Sequence, residues 1–135
     1  MASAAVRQCR AAKDDDKAME YLRRWADVLR RSGDRAHEIQ ALGELAEVGR
    51  QTGQFTSAEQ ALKDLIAACA DGQHRPQLID AQHHLGVLKS RRGDLAGGMD
   101  HLERAFALLG DLPAFALRAQ LLYRIGNLEL RQEKP

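Results

Sequence analysis

The chain has 135 residues, a formal net charge of +1, 44% apolar residues and only 4% aromatic ones. The near-balanced charge excludes the basic excess of a dedicated nucleic-acid binder, and no apolar run is long enough to span a bilayer. With so few rings, the core has to come from Leu, Ala, Ile and Val, in a layer that is either closely packed or thin and repetitive.

Only Pro76, Pro113 and Pro135 interrupt long stretches rich in Ala, Leu, Arg, Glu and Gln, all strong helix formers. No segment alternates apolar and polar residues with period two, so the chain reads as all α. In chain order the pattern predicts about seven helices, near 3–12, 15–31, 37–51, 56–70, 77–91, 95–109 and 114–132. The run Asp14-Asp15-Asp16 places carboxylates at the positive N-terminus of the second helix. Thr56 with Glu59 has capping-box spacing for the fourth, and Asp94 is placed to start the sixth. Gly53 and Gly93 stop the helices before them by accepting the left-handed conformation. The links Ser32-Gly33-Asp34, Asp71-Gly72-Gln73-His74 and Gly110-Asp111-Leu112-Pro113 are short and polar, which makes successive helices antiparallel neighbours. No linker stands out, so the expectation is one domain over 1–135.

Written in register at a spacing of 40, the sequence matches itself. Leu45, Leu85 and Ile125 share a column, as do Val48, Leu88 and Leu128. Leu22, Leu62 and Leu102 form another in the alternate helix, and Trp25, Leu65 and Ala105 a fourth. Small residues recur too: Ala18, Ala58 and Gly98 in one column, Ala46, Gly86 and Gly126 in another. Apolar positions within each unit fall at i, i+3, i+4 and i+7, the pattern of an amphipathic helix. The small columns mark close helix crossings, where a large side chain would force the backbones apart. One such pair cannot bury its apolar stripe alone, and stacking identical pairs solves that.

These residues resemble tetratricopeptide repeats (TPR). Leu45-Ala46, Gly53-Gln54-Phe55, Ala58, Leu62 and Leu65-Ile66 look like one repeat; Leu85-Gly86, Gly93-Asp94-Leu95, Gly98, Leu102 and Ala105-Phe106 look like the next. The resemblance implies a right-handed solenoid of antiparallel helix pairs, with an incomplete copy over roughly 1–34, copies at 35–74 and 75–113, and a lone capping helix over 114–135. The period of 40 exceeds the family's usual 34, and the extra length is expected in the second helix of each pair and the loop after it. Gln82 departs from the family's large residue, which stands as Leu42 and Leu122 in the other copies.

The resemblance also implies a protein-binding scaffold or adaptor, of the kind found in bacterial-type signalling and regulatory proteins, that takes a partner peptide or helix in a groove lined by the first helix of each pair. That face carries Gln40, Gly43, Glu44, Glu47, Arg50 and Gln51 in one copy and Asp80, His83, His84, Val87 and Arg91 in the next. Gln120, Tyr123, Arg124, Asn127 and Arg131 follow in the last helix, with Arg7 and Arg10 at the edge. Its arginines favour a carboxylate on the partner. The alternative is a self-associating module or part of a larger transcription regulator: the last helix exposes an uncovered side bearing Phe115 and Leu128, open to a homo-oligomer.

Other chemistry finds little footing. Asp80, His83 and His84 share one helix turn, but no third and fourth metal ligand is placed with them, and HExxH is absent. Cys9 and Cys69 lack both metal spacing and a paired base, and no phosphate loop occurs. The clusters Arg23-Arg24 and Arg30-Arg31 are interleaved with Glu20, Asp27 and Asp34, a solvated face rather than a nucleic-acid surface. The expectation is therefore no enzyme, no cofactor, no metal, no nucleic acid and no membrane, with a cytoplasmic location by default.

Overall fold

The computed structural model describes residues 6–8 and 14–133. Among them are six long helices and no strand: α1 Asp15–Ser32, α2 Arg35–Gln51, α3 Phe55–Ala68, α4 Arg75–Arg91, α5 Leu95–Leu109 and α6 Phe115–Glu133. Residues 6–8 are helical; the rest of the expected helix at 3–12, and Cys9 and Arg10 with it, lies outside the described residues. Helices α1, α3 and α5 begin at 15, 55 and 95, and α2, α4 and α6 at 35, 75 and 115. The starts thus advance in steps of 40 in both series. The chain forms two compact units, Met1–Asp71 and Gly72–Pro135.

In the first unit α2 packs against both α1 and α3. Asp14 and Asp34 start α1 and α2, each accepting from the backbone N–H three residues on, Lys17 at 3.2 Å and His37 at 3.3 Å. The capping box expected at Thr56 and Glu59 does not form. Helix α3 already begins at Phe55, its N-cap is Gln54, and no side chain caps it. Gln54 Nε2 instead donates to Asp16 Oδ1 of α1 at 2.9 Å. The core is Met19 and Leu22 of α1, Ile39, Leu42, Leu45 and Val48 of α2, and Leu62 and Leu65 of α3. Each fully buried leucine contributes about 2 kcal/mol of transfer free energy.

In the second unit α5 packs between α4 and α6. Pro76 sits in the first turn of α4, where its missing N–H costs nothing. Asp94 Oδ1 caps α5 through Gly97 N at 2.9 Å. The core cluster is Ile79, Met99, Leu102, Ala105, Leu109, Leu121 and Leu128, with Val87, Phe106 and Ile125 packed against it. The turn into α6 is held by Arg118, which donates to the Gly110 carbonyl at 2.7 Å and to the Leu112 carbonyl at 2.9 Å.

The small columns are where helices come closest. A Cβ on Gly86 would stand 2.9 Å from the Gly98 carbonyl oxygen and 2.8 Å from Leu102 Cγ. In the first unit the tightest approach has moved by a turn, to Gly49 against Ala58, where a Cβ would lie 2.9 Å from that of the alanine. Two expectations need correction. The longer helix of each pair is the first, with 17 residues in α2 against 14 in α3, and 17 in α4 against 15 in α5. Leu128 is not on an open side: it is 4% exposed and belongs to the core, as its column mates Val48 and Leu88 do, whereas Phe115 is 74% exposed.

A recurring clasp escaped the sequence reading. Arg35, the first residue of α2, donates to the Ala68 carbonyl at the end of α3 at 2.8 Å. Arg75, the first residue of α4, reaches the Leu108 carbonyl at the end of α5 through Nε at 2.6 Å and through a second nitrogen. Both ends of this bond shift by one period, from 35 to 75 and from 68 to 108. A guanidinium there satisfies an orphan carbonyl at the negative end of a helix.

Candidate functional site

The residues singled out as groove-lining fall on one face of each first helix, because 40, 44, 47 and 51 are spaced by four, three and four, as are 80, 84, 87 and 91, and 120, 124, 127 and 131. On α2, Gln40, Glu44 and Arg50 are half-buried and Glu47 is exposed, donated to by Gln51 Nε2 at 3.3 Å. On α4, Asp80 and Arg91 are exposed, His84 is half-buried and His83 is buried, the two imidazoles stacked 5.4 Å apart at 12°. Val87 is half-buried and packs on the core cluster, so it supports the face more than it presents one. On α6, Gln120, Tyr123, Asn127 and Arg131 are exposed, and Arg124 is half-buried. Ile79 and Val87 of α4 share one cluster with Leu121 and Ile125 of α6, which gives those two faces a common support.

The face carries mostly long polar side chains and one exposed aromatic ring. Tyr123 is 71% exposed, a large amphipathic ring held on a rigid helix. The Nε atoms of Arg124 and Arg50 are buried without a hydrogen-bond partner among the described residues. A buried guanidinium N–H left unpaired carries a desolvation cost. Among the described residues no three His, Cys, Asp or Glu side chains gather as a metal site. Cys69 is buried, and that burial pushes its thiol above the usual pKa, the opposite of an activated nucleophile.

Two features were not foreseen. Gln82, the odd polar residue in a column of leucines, is buried and accepts from His101 Nδ1 of α5 at 2.6 Å. One period earlier stand Leu42 and Ala61, both buried and apolar, where the second copy has a hydrogen bond. The signal was in the sequence as a paired change, Leu42 to Gln82 and Ala61 to His101. The first unit also holds a cleft of about 670 Å³ between α1 and α3, floored by Leu42 and Leu45 of α2. Its rim is self-paired: Arg23 donates to Ser57 Oγ at 2.7 Å, Arg30 meets Asp27 at 2.5 Å and Arg35 meets Glu38 at 3.6 Å. Arg31 also meets Asp27, at 3.1 Å, so the two arginines share one carboxylate on their own helix. None of the residues expected to line a groove borders this cleft.

No protein-family model matches the chain, and neither does any curated protein. Solved structures do match. A single-substitution form of nearly identical TPR-like repeats from a Podosopora anserina protein assigned to the kinesin light chains aligns over 95% of this chain and 65% of its own, with a TM-score of 0.73 and 19% identity. This chain therefore spans less than two thirds of that structure. A second structure of those repeats aligns over 96% and 74%, with a TM-score of 0.64 and 17% identity. The type III secretion translocator chaperone SycD of Yersinia enterocolitica aligns over 87% and 88%, with a TM-score of 0.59 and 16% identity. At such identities the likeness is one of backbone, and it agrees with the helix pairs and their columns: the chain has the all-α fold of the TPR-like repeat proteins.

Proposed function

We propose that the protein is a scaffold that binds a protein partner through the first-helix faces, with α4 and α6 carrying the principal contacts. The supporting observation is Tyr123, largely exposed and next to the half-buried Arg124. Tyrosine and arginine are the residues that most often dominate binding energy at interfaces. Asp80, Arg91, Asn127 and Arg131 add exposed polar groups on α4 and α6, suited to the rim of a contact. The arginines select for a carboxylate, either an acidic side chain or a free C-terminus, which a guanidinium holds bidentately. SycD is described as a translocator chaperone, and a protein-binding role fits that likeness. No helix among the described residues is long and apolar enough to cross a membrane.

The test uses a peptide panel with acidic side chains and free C-terminal carboxylates, each paired with its amidated form. Binding is measured by fluorescence anisotropy at low salt. Arg91→Glu and Tyr123→Ala are expected to weaken the best binder by at least about tenfold, the scale of a lost hot spot, with circular dichroism and melting unchanged. Normal binding by both variants, or no binder in the panel, removes this reading.

A further inference from the structure

Two helix pairs that share their apolar columns face a problem of choice. Helix α2 packs on α3 and α4 packs on α5 through the same positions, 40 residues apart. The apolar stripes alone do not tell α2 which of the two second helices to take, and chains of repeated units are prone to misassembly of that kind. The crossings settle half of the choice. On α4, a Cβ at position 98 would stand 2.8 Å from the Gly86 carbonyl oxygen and 2.9 Å from Ser90 Cβ. Helix α3 carries Ala58 at that place, so it cannot seat on α4 as α5 does. Nor can it seat there as it does on α2. A Cβ at Gly49 would lie 2.9 Å from that of Ala58, and α4 has Lys89 where Gly49 stands.

The reverse exchange meets no such obstacle. With α5 on α2, Gly98 would face Gly49, and two glycines leave that crossing open. What remains to keep α5 off α2 is a polar pair. Gln82 is 5% exposed and accepts from His101 Nδ1 of α5 at 2.6 Å, where the first copy has Leu42, 6% exposed, and Ala61, 2% exposed. On α2 the imidazole N–H would face the Leu42 side chain and lose its acceptor, at the cost of desolvating that group. Gln82, for its part, loses its donor if any helix other than α5 covers α4.

We infer that the Gln82–His101 pair is a matching device: it directs α5 to α4 and away from α2 while the chain folds, so that each first helix closes with the second helix of its own copy. The device works through the difference between the copies and not through the strength of one bond. Giving both copies the same residues, of either kind, disables it. It stands apart from the binding role proposed above.

The test compares the refolding of the parent and three variants of the full chain. Each is unfolded in urea, diluted at a series of protein concentrations and fractionated by size exclusion with light scattering. Circular dichroism and melting of samples that were never unfolded check the fold. Gln82→Leu with His101→Ala makes the second copy apolar like the first. Leu42→Gln with Ala61→His makes the first polar like the second, and the cleft that Leu42 and Ala61 border gives an imidazole room. Each pair of substitutions is expected to give at least about tenfold more non-monomeric product than the parent, the scale of discrimination from one buried polar group left without a partner. All four substitutions together move the pair from the second copy to the first, and monomeric refolding returns. If one two-substitution chain lacks the parent's helicity before unfolding, the other carries the comparison. The inference is overturned if a folded two-substitution chain refolds as cleanly as the parent. It is also overturned if the four-substitution chain misassembles as much as the others, which would make the pair a plain stabiliser of α4 and α5.

Discussion

In the first unit, α2 opens on an aspartate cap and α3 opens without one; in the second, α4 opens on a proline and the aspartate cap belongs to α5. The pairs α2–α3 and α4–α5 stand on the same columns, yet each closes its helix ends and its crossing point by different residues. Ala46 of the first pair is Gly86 in the second, with the tight spot shifted to Gly49. Cys69 of the first pair is Leu109 in the second, each 1% exposed. The backbone plan is shared, therefore, while the local chemistry that stabilises it is interchangeable within limits. Exchanging residues between the copies finds those limits.

The largest effect is expected at the crossing. Gly86→Ala imports the residue that the first copy has at Ala46. Helix propensity alone predicts a gain of about 1 kcal/mol. The new Cβ, however, would lie 2.9 Å from a backbone oxygen that cannot turn aside. Overpacking of that kind costs about 1–3 kcal/mol, so urea unfolding should show a net loss of stability. A net gain would mean that α5 slides freely on α4.

Exchanging the caps should matter less. Asp94→Gln gives α5 the residue that precedes α3 and should cost about 1 kcal/mol, the worth of an N-cap carboxylate. Gln54→Asp makes the reverse change. Its gain should be smaller, because it also gives up the bond from Gln54 to Asp16. Equal and opposite shifts in the unfolding midpoint would show that this bond across α1 and α3 contributes nothing.

The smallest effect is a dependence on alkaline pH. Burial raises the Cys69 thiol pKa, Asp71 adds to the rise and Arg35 opposes it. The unfolded chain then releases this proton at lower pH than the folded chain does. Stability is intact below the ordinary thiol pKa of about 8.5 and falls as pH rises beyond it toward the folded value. Unfolding midpoints at about pH 7 and about pH 10 should diverge less in Cys69→Ala than in the parent. Leu109 gives the second unit no such sensitivity.

Much of this architecture could be read from the residues. The helix starts at Asp15, Arg35 and Leu95 follow aspartates, and the glycine stops repeat with the columns, because capping and termination are local events. What could not be read depends on facing partners. Gln54 heads α3 uncapped since its side chain is drawn to Asp16 on another helix. Gln82 looked like a flaw until His101 was seen beside it. Leu128 looked open because a row of apolar residues on α6 has two sides, and spacing alone did not say which one α5 covers. The residues expected to line a groove were legible as a polar face; the burial of Arg50 Nε and Arg124 Nε was not, since it comes from the packing around them.

The arginine clasp bears on how such a chain can grow or shrink. Arg35 closes on Ala68 and Arg75 on Leu108, so the donor and acceptor of each bond lie within the same 40-residue copy. A duplication of 35–74 would bring its own donor and its own acceptor. A deletion of the same span would take both away and strand neither. An insertion or deletion of this length therefore leaves the clasp whole in every copy that remains.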